Sequence, residues 1–205
     1  MAWYDVFASF YDASVQAHYT QHRLLSAEAL NLGEGMSVLD LPCGTGQSFE
    51  ALRAGIGESG HLIGVDLSRG MLRRAGARVE RGAPSGQTTL RMHDARVLSL
   101  AELPGGAAVD RLHVFLGMSV FEDMPATFEN LWGLLRPGGR CVIVDVHSPQ
   151  LSFQGRMVNL VAGADIRRRF WEPLAAVADD FERTDLPYDS AHGGQIMLAA
   201  GNKPG

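Results

Sequence analysis

The sequence feature that most constrains the fold is an alternation of short apolar runs with helical patterns through the middle of the chain. The apolar runs are rich in β-branched residues and cover 37–41, 61–66, 88–94, 111–116 and 140–146. Between them, apolar side chains recur at three- or four-residue spacing, as at Phe49, Leu52 and Ile56. The same spacing recurs at Phe128, Leu131, Trp132 and Leu135. Strands that alternate with helices form a parallel sheet with helices on both of its faces. The pattern therefore predicts a doubly wound α/β domain.

The connection after the first apolar run carries the strongest functional signal. It reads Val38-Leu-Asp40-Leu-Pro-Cys-Gly44-Thr-Gly46, an acidic strand end followed by two glycines that permit a tight turn against which a ligand can lie. The second run ends at Asp66, where an α/β cofactor site places the carboxylate that accepts both ribose hydroxyls. The third run ends at Asp94. A lone acidic strand end is usually a helix cap, but three at consecutive strand ends predict a site for a nucleoside cofactor.

The stretch 40–46 resembles the first motif of the class I S-adenosylmethionine-dependent methyltransferases, D/ExGxGxG, with Pro42 in place of the first glycine. Outside the core, the Phe10-Tyr-Asp12 opening, the His22-Arg23 pair and the run 193–203 are similar to the ubiquinone and menaquinone methyltransferases and related phospholipid methyltransferases. The resemblance implies a Rossmann-like sheet in the strand order 3-2-1-4-5-7-6, with strand 7 antiparallel and helices on both faces. It also implies S-adenosyl-L-methionine as the cofactor, whereas Phe49 at the third glycine position disfavours NAD.

The resemblance assigns roles to individual residues. Asp66 would hold the ribose, Leu67 and Met71 would flank the adenine, and Asp94 with Ala95 would meet the adenine amino edge. The full set of expected cofactor-binding residues is Tyr11, Asp40, Pro42, Gly44, Thr45, Gly46, Asp66, Leu67, Met71, Asp94, Ala95, Phe115 and Leu116.

We expect residues 1–205 to form a single methyltransferase domain, because the chain has 205 residues and no long linker. Within it, residues 1–32 would form an N-terminal helical lid, 35–146 the cofactor-binding core, 150–180 a helical cover and 181–203 a terminal hairpin. The lid and the cover would wall an apolar acceptor pocket. The expected pocket residues are Phe7, Phe10, Tyr11, Phe153, Met157, Leu160, Val161 and Ala164.

Composition and charge restrict the partners and the location. The net charge of −5 disfavours a nucleic-acid partner, because no basic field is present to attract phosphates. The basic run 167–169, followed by Phe170 and Trp171, leaves peripheral membrane contact as an alternative to a solvated helix face. The chain opens without a secretory signal pattern, so a cytoplasmic protein is expected. Cys43 and Cys141 are predicted to stay reduced and apart.

The candidate catalytic residues are His147, which follows the fifth strand, and Tyr11 on the expected lid, with His22 and His192 as further possible bases. No metal is expected. His18 and His22 have a spacing that can hold zinc, but no third ligand is near them in sequence. The residues after the fourth strand, 115–118, include no carboxylate of the kind that metal-dependent O-methyltransferases place there.

The sequence thus predicts an enzyme that transfers a methyl group from S-adenosylmethionine to a small-molecule or lipid-like acceptor. Two alternatives remain open: a protein that binds S-adenosylmethionine without methyltransferase activity, and an enzyme that transfers another group from the same cofactor. The sequence leaves the acceptor atom, the use of a general base, the pathway and the oligomeric state undetermined.

Overall fold

A computed structural model describes residues 19–82, 87–150, 155–156, 159–160, 163–187 and 193–205. The expected lid is therefore described only from Tyr19 onwards. Several residues named above lie outside the described residues: Phe7, Phe10, Tyr11, His18, Phe153, Met157, Val161 and His192.

Seven strands form one sheet. They are β1 (Ser37–Asp40), β2 (His61–Asp66), β3 (Gln87–Met92), β4 (Val109–Phe115), β5 (Leu135–His147), β6 (Asp179–Asp185) and β7 (Gln195–Asn202). Their spatial order is β3-β2-β1-β4-β5-β7-β6. Strands β1 to β5 pair in parallel, and β7 is antiparallel to both of its neighbours. The predicted doubly wound fold, with its strand order and its antiparallel seventh strand, is confirmed.

Helices connect the strands at the predicted places. They are α1 (19–29), α2 (Phe49–Ile56), α3 (Arg69–Arg81), α4 (Met124–Leu134) and α5 (Glu172–Val177). Side-chain caps fix two of the starts: Ser68 Oγ accepts a hydrogen bond from the Met71 N–H, and Asp123 Oδ1 accepts one from the Ala126 N–H. Within the described residues, no helix combines the length and the apolar character needed to cross a membrane.

Several strand boundaries differ from the sequence prediction, most clearly at β5 and β3. Leu135 fits the apolar spacing of α4 but is the first residue of β5, and the glycine turn after it belongs to the strand. The glycine turn is held at the sheet by the end of the chain, because the Gly138 N–H donates to the Lys203 carbonyl and the Lys203 N–H donates to the Gly139 carbonyl. β3 ends at Met92, which leaves Asp94 in the following loop.

The helical pattern predicted over 150–180 is only partly present. Helical residues occur at 155–156 and 159–160 and in α5, whereas the described residues 163–171 form turns, a bend and irregular backbone. Gly163 has a φ of +62°, and the Asp165 carboxylate accepts a hydrogen bond from the Arg167 N–H. Both features end helical geometry locally.

Apolar side chains pack on both faces of the sheet, and the two cysteines lie in different layers. Cys141 packs with Leu112 and Phe128, and Cys43 packs with Phe49 and Leu62 on the other face. Both thiols are free and buried, which confirms that they stay apart.

The carboxyl end of α1 is anchored to the sheet by two buried arginines. Arg111 donates to the carbonyls of Leu30 (2.6 Å) and Asn31 (2.8 Å), and Arg140 donates to the carbonyl of Ala29 (2.6 Å). These carbonyls lack partners within the helix, so the guanidinium groups satisfy them and oppose the negative end of the helix dipole. The anchors fix the direction in which α1 runs towards the site.

Candidate functional site

A cavity of about 810 Å3 lies at the carboxyl ends of the parallel strands. Its walls are the loops that follow β1, β2, β3 and β4, together with the end of β5 and with Tyr19 and Arg23 of α1. Ligands of doubly wound proteins bind at this edge, where the loops of several strands meet. The volume is within the usual range for a cofactor or small-molecule site.

The glycine turn after β1 is tied directly to the end of β2. The Gly44 N–H donates to Asp66 Oδ2 at 2.9 Å. Gly44 has a φ of +54°, and a Cβ added there would meet no atom within 4 Å, so its backbone faces open space. Gly46 has a different role, because it does not line the cavity and an added Cβ would lie 2.7 Å from the Phe49 ring. It permits α2 to begin close to the turn.

The Asp66 carboxylate is at the centre of the cofactor half of the cavity. It is 9% exposed, and Oδ1 accepts a hydrogen bond from the Ser68 N–H at 2.8 Å. Burial raises the pKa of Asp66, although the N–H groups of Ser68 and Gly44 oppose this shift. A carboxylate held by two backbone donors keeps lone pairs for further donors such as a vicinal diol.

The rim formed by the β2 and β3 loops contains Leu67, Met71, Asp94 and Ala95. Asp94 carries an ion pair with Arg96 at 2.7 Å, which holds the pKa of Asp94 below its usual range. Arg96 also reaches Glu122 of the β4 loop at 3.1 Å. The Asp94 side chain is therefore already held by a cation at the place where the sequence predicts contact with an adenine amino group.

Most of the predicted cofactor residues line the cavity. Those that do are Pro42, Gly44, Thr45, Asp66, Leu67, Met71, Asp94, Ala95, Phe115 and Leu116. Gly46 and Asp40 do not, and Tyr11 lies outside the described residues.

Asp40 points away from the cavity into a buried polar network. Its Oδ1 lies 2.8 Å from His113 Nδ1, and His113 Nε2 lies 2.9 Å from Ser26 Oγ. The order of groups is that of a hydrolase triad, but all three side chains are at most 1% exposed, so no substrate can reach the serine. The network connects α1 to β1 and β4.

His147 is not brought to the cavity. Its ring packs edge-on against Trp171 with centroids 4.8 Å apart, and its Nδ1 lies 3.2 Å from the Arg168 carbonyl. His22 is buried, with Nε2 2.6 Å from the Pro187 carbonyl. Two of the four candidate bases, His147 and His22, are therefore held by contacts within the fold. The other two, Tyr11 and His192, lie outside the described residues. In the described part of the chain, no three potential metal ligands cluster.

The half of the cavity beside β4 and β5 contains a polar pair that the sequence analysis missed. Asp145 is 1% exposed; its Oδ1 accepts from Ser119 Oγ (2.9 Å) and from the Val146 N–H (2.8 Å), and its Oδ2 accepts from the Ser119 N–H (2.8 Å). Burial raises the pKa of Asp145 to about 6. A lone aspartate within the apolar strand could have drawn attention to this site.

Aromatic and cationic groups close the cavity on the α1 side. Tyr19 meets Phe115 edge-on at 6.0 Å, and the Arg23 guanidinium lies 4.7 Å from the centre of the Phe115 ring. Nothing in the local sequence pattern around Arg23 indicates that α1 carries this side chain to the sheet edge.

The sheet order, the glycine turn after β1 and the carboxylate after β2 define a Rossmann-like nucleoside-cofactor protein. A model of the methyltransferase domain family matches residues 38–139, about half of the chain. The chain belongs to the class I S-adenosylmethionine-dependent methyltransferases, as the resemblance in its sequence predicted.

Named relatives include quinone methyltransferases. Demethylmenaquinone methyltransferase of Lactococcus lactis is 29% identical over 65% of this chain and 52% of its own length. The 2-phytyl-1,4-naphtoquinone methyltransferase of Synechococcus elongatus is 31% identical over 71% of this chain and 63% of its own length. The aligned part of the chain thus spans between half and two thirds of these two relatives.

Solved structures share the fold at lower identity. The N-methyltransferase NodS from Bradyrhizobium japonicum is 18% identical with a TM-score of 0.70, covering 95% of this chain and 99% of that one. The [4+2]-cyclase SpnF is 17% identical with a TM-score of 0.70, covering 90% and 81%. The fold therefore occurs in proteins with different reactions, and the activity must be argued from the site.

Proposed function

We propose that this chain binds S-adenosyl-L-methionine and transfers its methyl group to a small aromatic acceptor of the quinone type. The observation that carries the proposal is the hydrogen bond from the Gly44 N–H to Asp66 Oδ2. It ties the glycine turn after β1 to the end of β2 in the wall of the cavity. The cofactor, when bound, supplies an electrophilic sulfonium methyl group.

The residues of the cavity suit this cofactor. The Asp66 carboxylate is positioned to accept the two ribose hydroxyls, and the open backbone at Gly44 permits close approach of the amino-acid part of the cofactor. Leu67, Met71 and Ala95 provide apolar contacts for the flat adenine. Asp40 and Gly46 support the glycine turn after β1 from the side away from the cavity, so they would not contact the cofactor.

The other half of the cavity suits an aromatic acceptor. Phe115, Phe121, Val146 and Ile166 are apolar, and they surround the few polar groups of this half. The quinone acceptor class comes from the names of the two relatives described above. Holding such a ring against the methyl group would supply most of the catalysis, because alignment alone can lower a barrier by several kcal/mol.

The remaining predictions from the sequence are parts of the same proposal. The chain would act as one domain, with residues 1–32 and 150–180 covering the acceptor and Tyr11 and Met157 contacting it. The cytoplasm is the proposed location. Peripheral membrane contact through 167–169 is not favoured, because Arg167 is paired with Asp165 at 2.8 Å and Arg169 with Glu172 at 2.8 Å.

Calorimetric titration with S-adenosylhomocysteine tests the cofactor site. Asp66→Ala removes hydrogen bonds to a charged acceptor worth roughly 1.5–3 kcal/mol each, so the affinity should fall about tenfold or more. Asp179→Ala, which removes the same charge at an exposed position on β6, is the matched control and should bind as the wild type does. Equal affinity of the Asp66 variant and the wild type would disprove the ribose role.

Activity is tested separately with methyl-labelled cofactor and 1,4-dihydroxynaphthalene under anaerobic conditions. Mass spectrometry should find the label in the naphthalene product. A protein that binds S-adenosylhomocysteine but labels no product would favour the alternative of a cofactor-binding protein without methyl transfer.

A further inference from the structure

The acceptor half of the cavity contains a hydroxyl whose orientation is fixed by a buried carboxylate. Ser119 lies in the loop after β4 and is 6% exposed, and Asp145 lies near the carboxyl end of β5. Both line the cavity. They are on the β4 and β5 side, away from Asp66, which would hold the cofactor.

The hydrogen-bond pattern determines what Ser119 can still do. Its Oγ–H donates to Asp145 Oδ1 at 2.9 Å, so its single proton is already committed. The Ser119 N–H is bound to Asp145 Oδ2, and the Ser119 carbonyl accepts from the Asp165 N–H at 2.8 Å, so the backbone of this residue is held on both sides. The lone pairs of Oγ are what Ser119 can offer to a molecule in the cavity.

From this geometry we propose that Ser119, oriented by Asp145, accepts a hydrogen bond and then the proton from a hydroxyl group of the acceptor. This inference rests on the proposed function. It adds that the acceptor must be a hydrogen-bond donor at this point, as a hydroquinone is and a quinone or an aryl ether is not.

The proton transfer runs through two groups. The acceptor O–H proton moves to Ser119 Oγ while the original Ser119 proton moves to Asp145 Oδ1, which becomes a neutral carboxylic acid. The electron pair left on the acceptor is then available for a bond to the methyl carbon, and the pair of the broken carbon–sulfur bond stays on sulfur. Burial raises the pKa of Asp145 to about 6, which makes it a stronger proton acceptor than an exposed aspartate.

The test measures binding of two probes to protein saturated with S-adenosylhomocysteine. 1,4-Dihydroxynaphthalene can donate to Ser119, whereas 1,4-dimethoxynaphthalene has the same ring and cannot. Ser119→Ala should weaken the dihydroxy probe about fivefold, the effect of losing one net hydrogen bond, and should leave the dimethoxy probe unchanged. Ser119→Thr keeps the hydroxyl and should retain most of the affinity.

Ser99→Ala is the matched control, because Ser99 bonds only to Glu102 at the start of a short helical turn among the contacts described and is not part of the cavity. It should bind both probes as the wild type does. Asp145→Asn should lower the rate of methylation more than it lowers probe binding, and it should shift the acidic limb of the pH–rate profile. A purely structural role would move the melting temperature without moving that limb.

Two results would overturn the inference. One is equal binding of the dihydroxy probe by the Ser119→Ala variant and the wild type. The other is a wild-type protein that binds S-adenosylhomocysteine but not the dihydroxy probe, which leaves the proposed cofactor site intact. Failure to bind S-adenosylhomocysteine would instead refute the proposed function itself, and this inference with it.

Discussion

Mild acid should stabilise this protein through Asp145, in contrast to the usual effect of acid on carboxylates. The folded pKa of Asp145 is about 6, against 3.8 for an unperturbed aspartate. The native state therefore binds a proton more tightly than the unfolded chain between these two values. Stability from this group is fully present below about pH 4 and is lost as the pH rises through about 6.

The magnitude follows from the two pKa values. A difference of about 2 pKa units corresponds to about 3 kcal/mol at neutral pH. Because the titration is spread over both values, lowering the pH from 7 to 5 should recover about 1 kcal/mol and lowering it to 4 about 2 kcal/mol. Burial of an ionised carboxylate is the cause, and the donors at Ser119 and Val146 reduce it only in part.

The assay is denaturant unfolding of the wild type and of Asp145→Asn at pH 7, 5 and 4. Other carboxyl groups titrate in both proteins, so only the difference between the two unfolding free energies is compared. The unfolding free energy of the wild type should rise relative to that of Asp145→Asn as the pH falls. A difference that stays constant, or moves in favour of the variant, would show that Asp145 is not a destabilised carboxylate.

Three further predictions concern the anchoring of α1, the thiols and the metal requirement. Arg140→Ala should lower the unfolding free energy by about 2–3 kcal/mol, because it removes the charged donor to the Ala29 carbonyl; exposed Arg73→Ala is the control and should change it by less than about 0.5 kcal/mol. Burial raises the pKa of both Cys43 and Cys141, so a disulfide reagent should modify neither thiol in the native protein and both after unfolding. Rapid modification of Cys43 in folded protein would contradict its burial. Methyl transfer should survive EDTA, since residues 116–118, directly after β4, include no carboxylate; activity lost to the chelator and restored by magnesium would refute this.

The fold could be predicted from the sequence because parallel strands and amphipathic helices leave strong periodic signals. The strand 61–66 was predicted with its exact ends, since Gly60 and Asp66 mark them. The spacing of Leu135 fits α4, whereas its place in β5 follows from its pairing with Val109 of β4, which is distant in sequence. Pairing across such a distance leaves no local pattern.

The two halves of the candidate site also differ in how well the sequence predicts them. The cofactor half follows strand ends in order along the chain, so Gly44, Asp66 and Asp94 could be found by position alone. The acceptor half is assembled across the sheet, where Ser119 meets Asp145 over 26 positions of sequence. The position of His147 after β5 indicates a site residue, but its ring packs on Trp171, a contact that the sequence around His147 does not indicate.

The anchoring of α1 sets a lower limit on how small a working version of this protein can be made. The family model begins at residue 38, which invites an engineered fragment that starts there. Such a fragment would lose the helix whose carbonyls hold Arg111 and Arg140 and the serine that contacts His113. Two guanidinium groups and an imidazole would then face the sheet surface with those contacts gone, at a cost of several kcal/mol. We therefore expect the unit that folds to be larger than the segment that the family model matches.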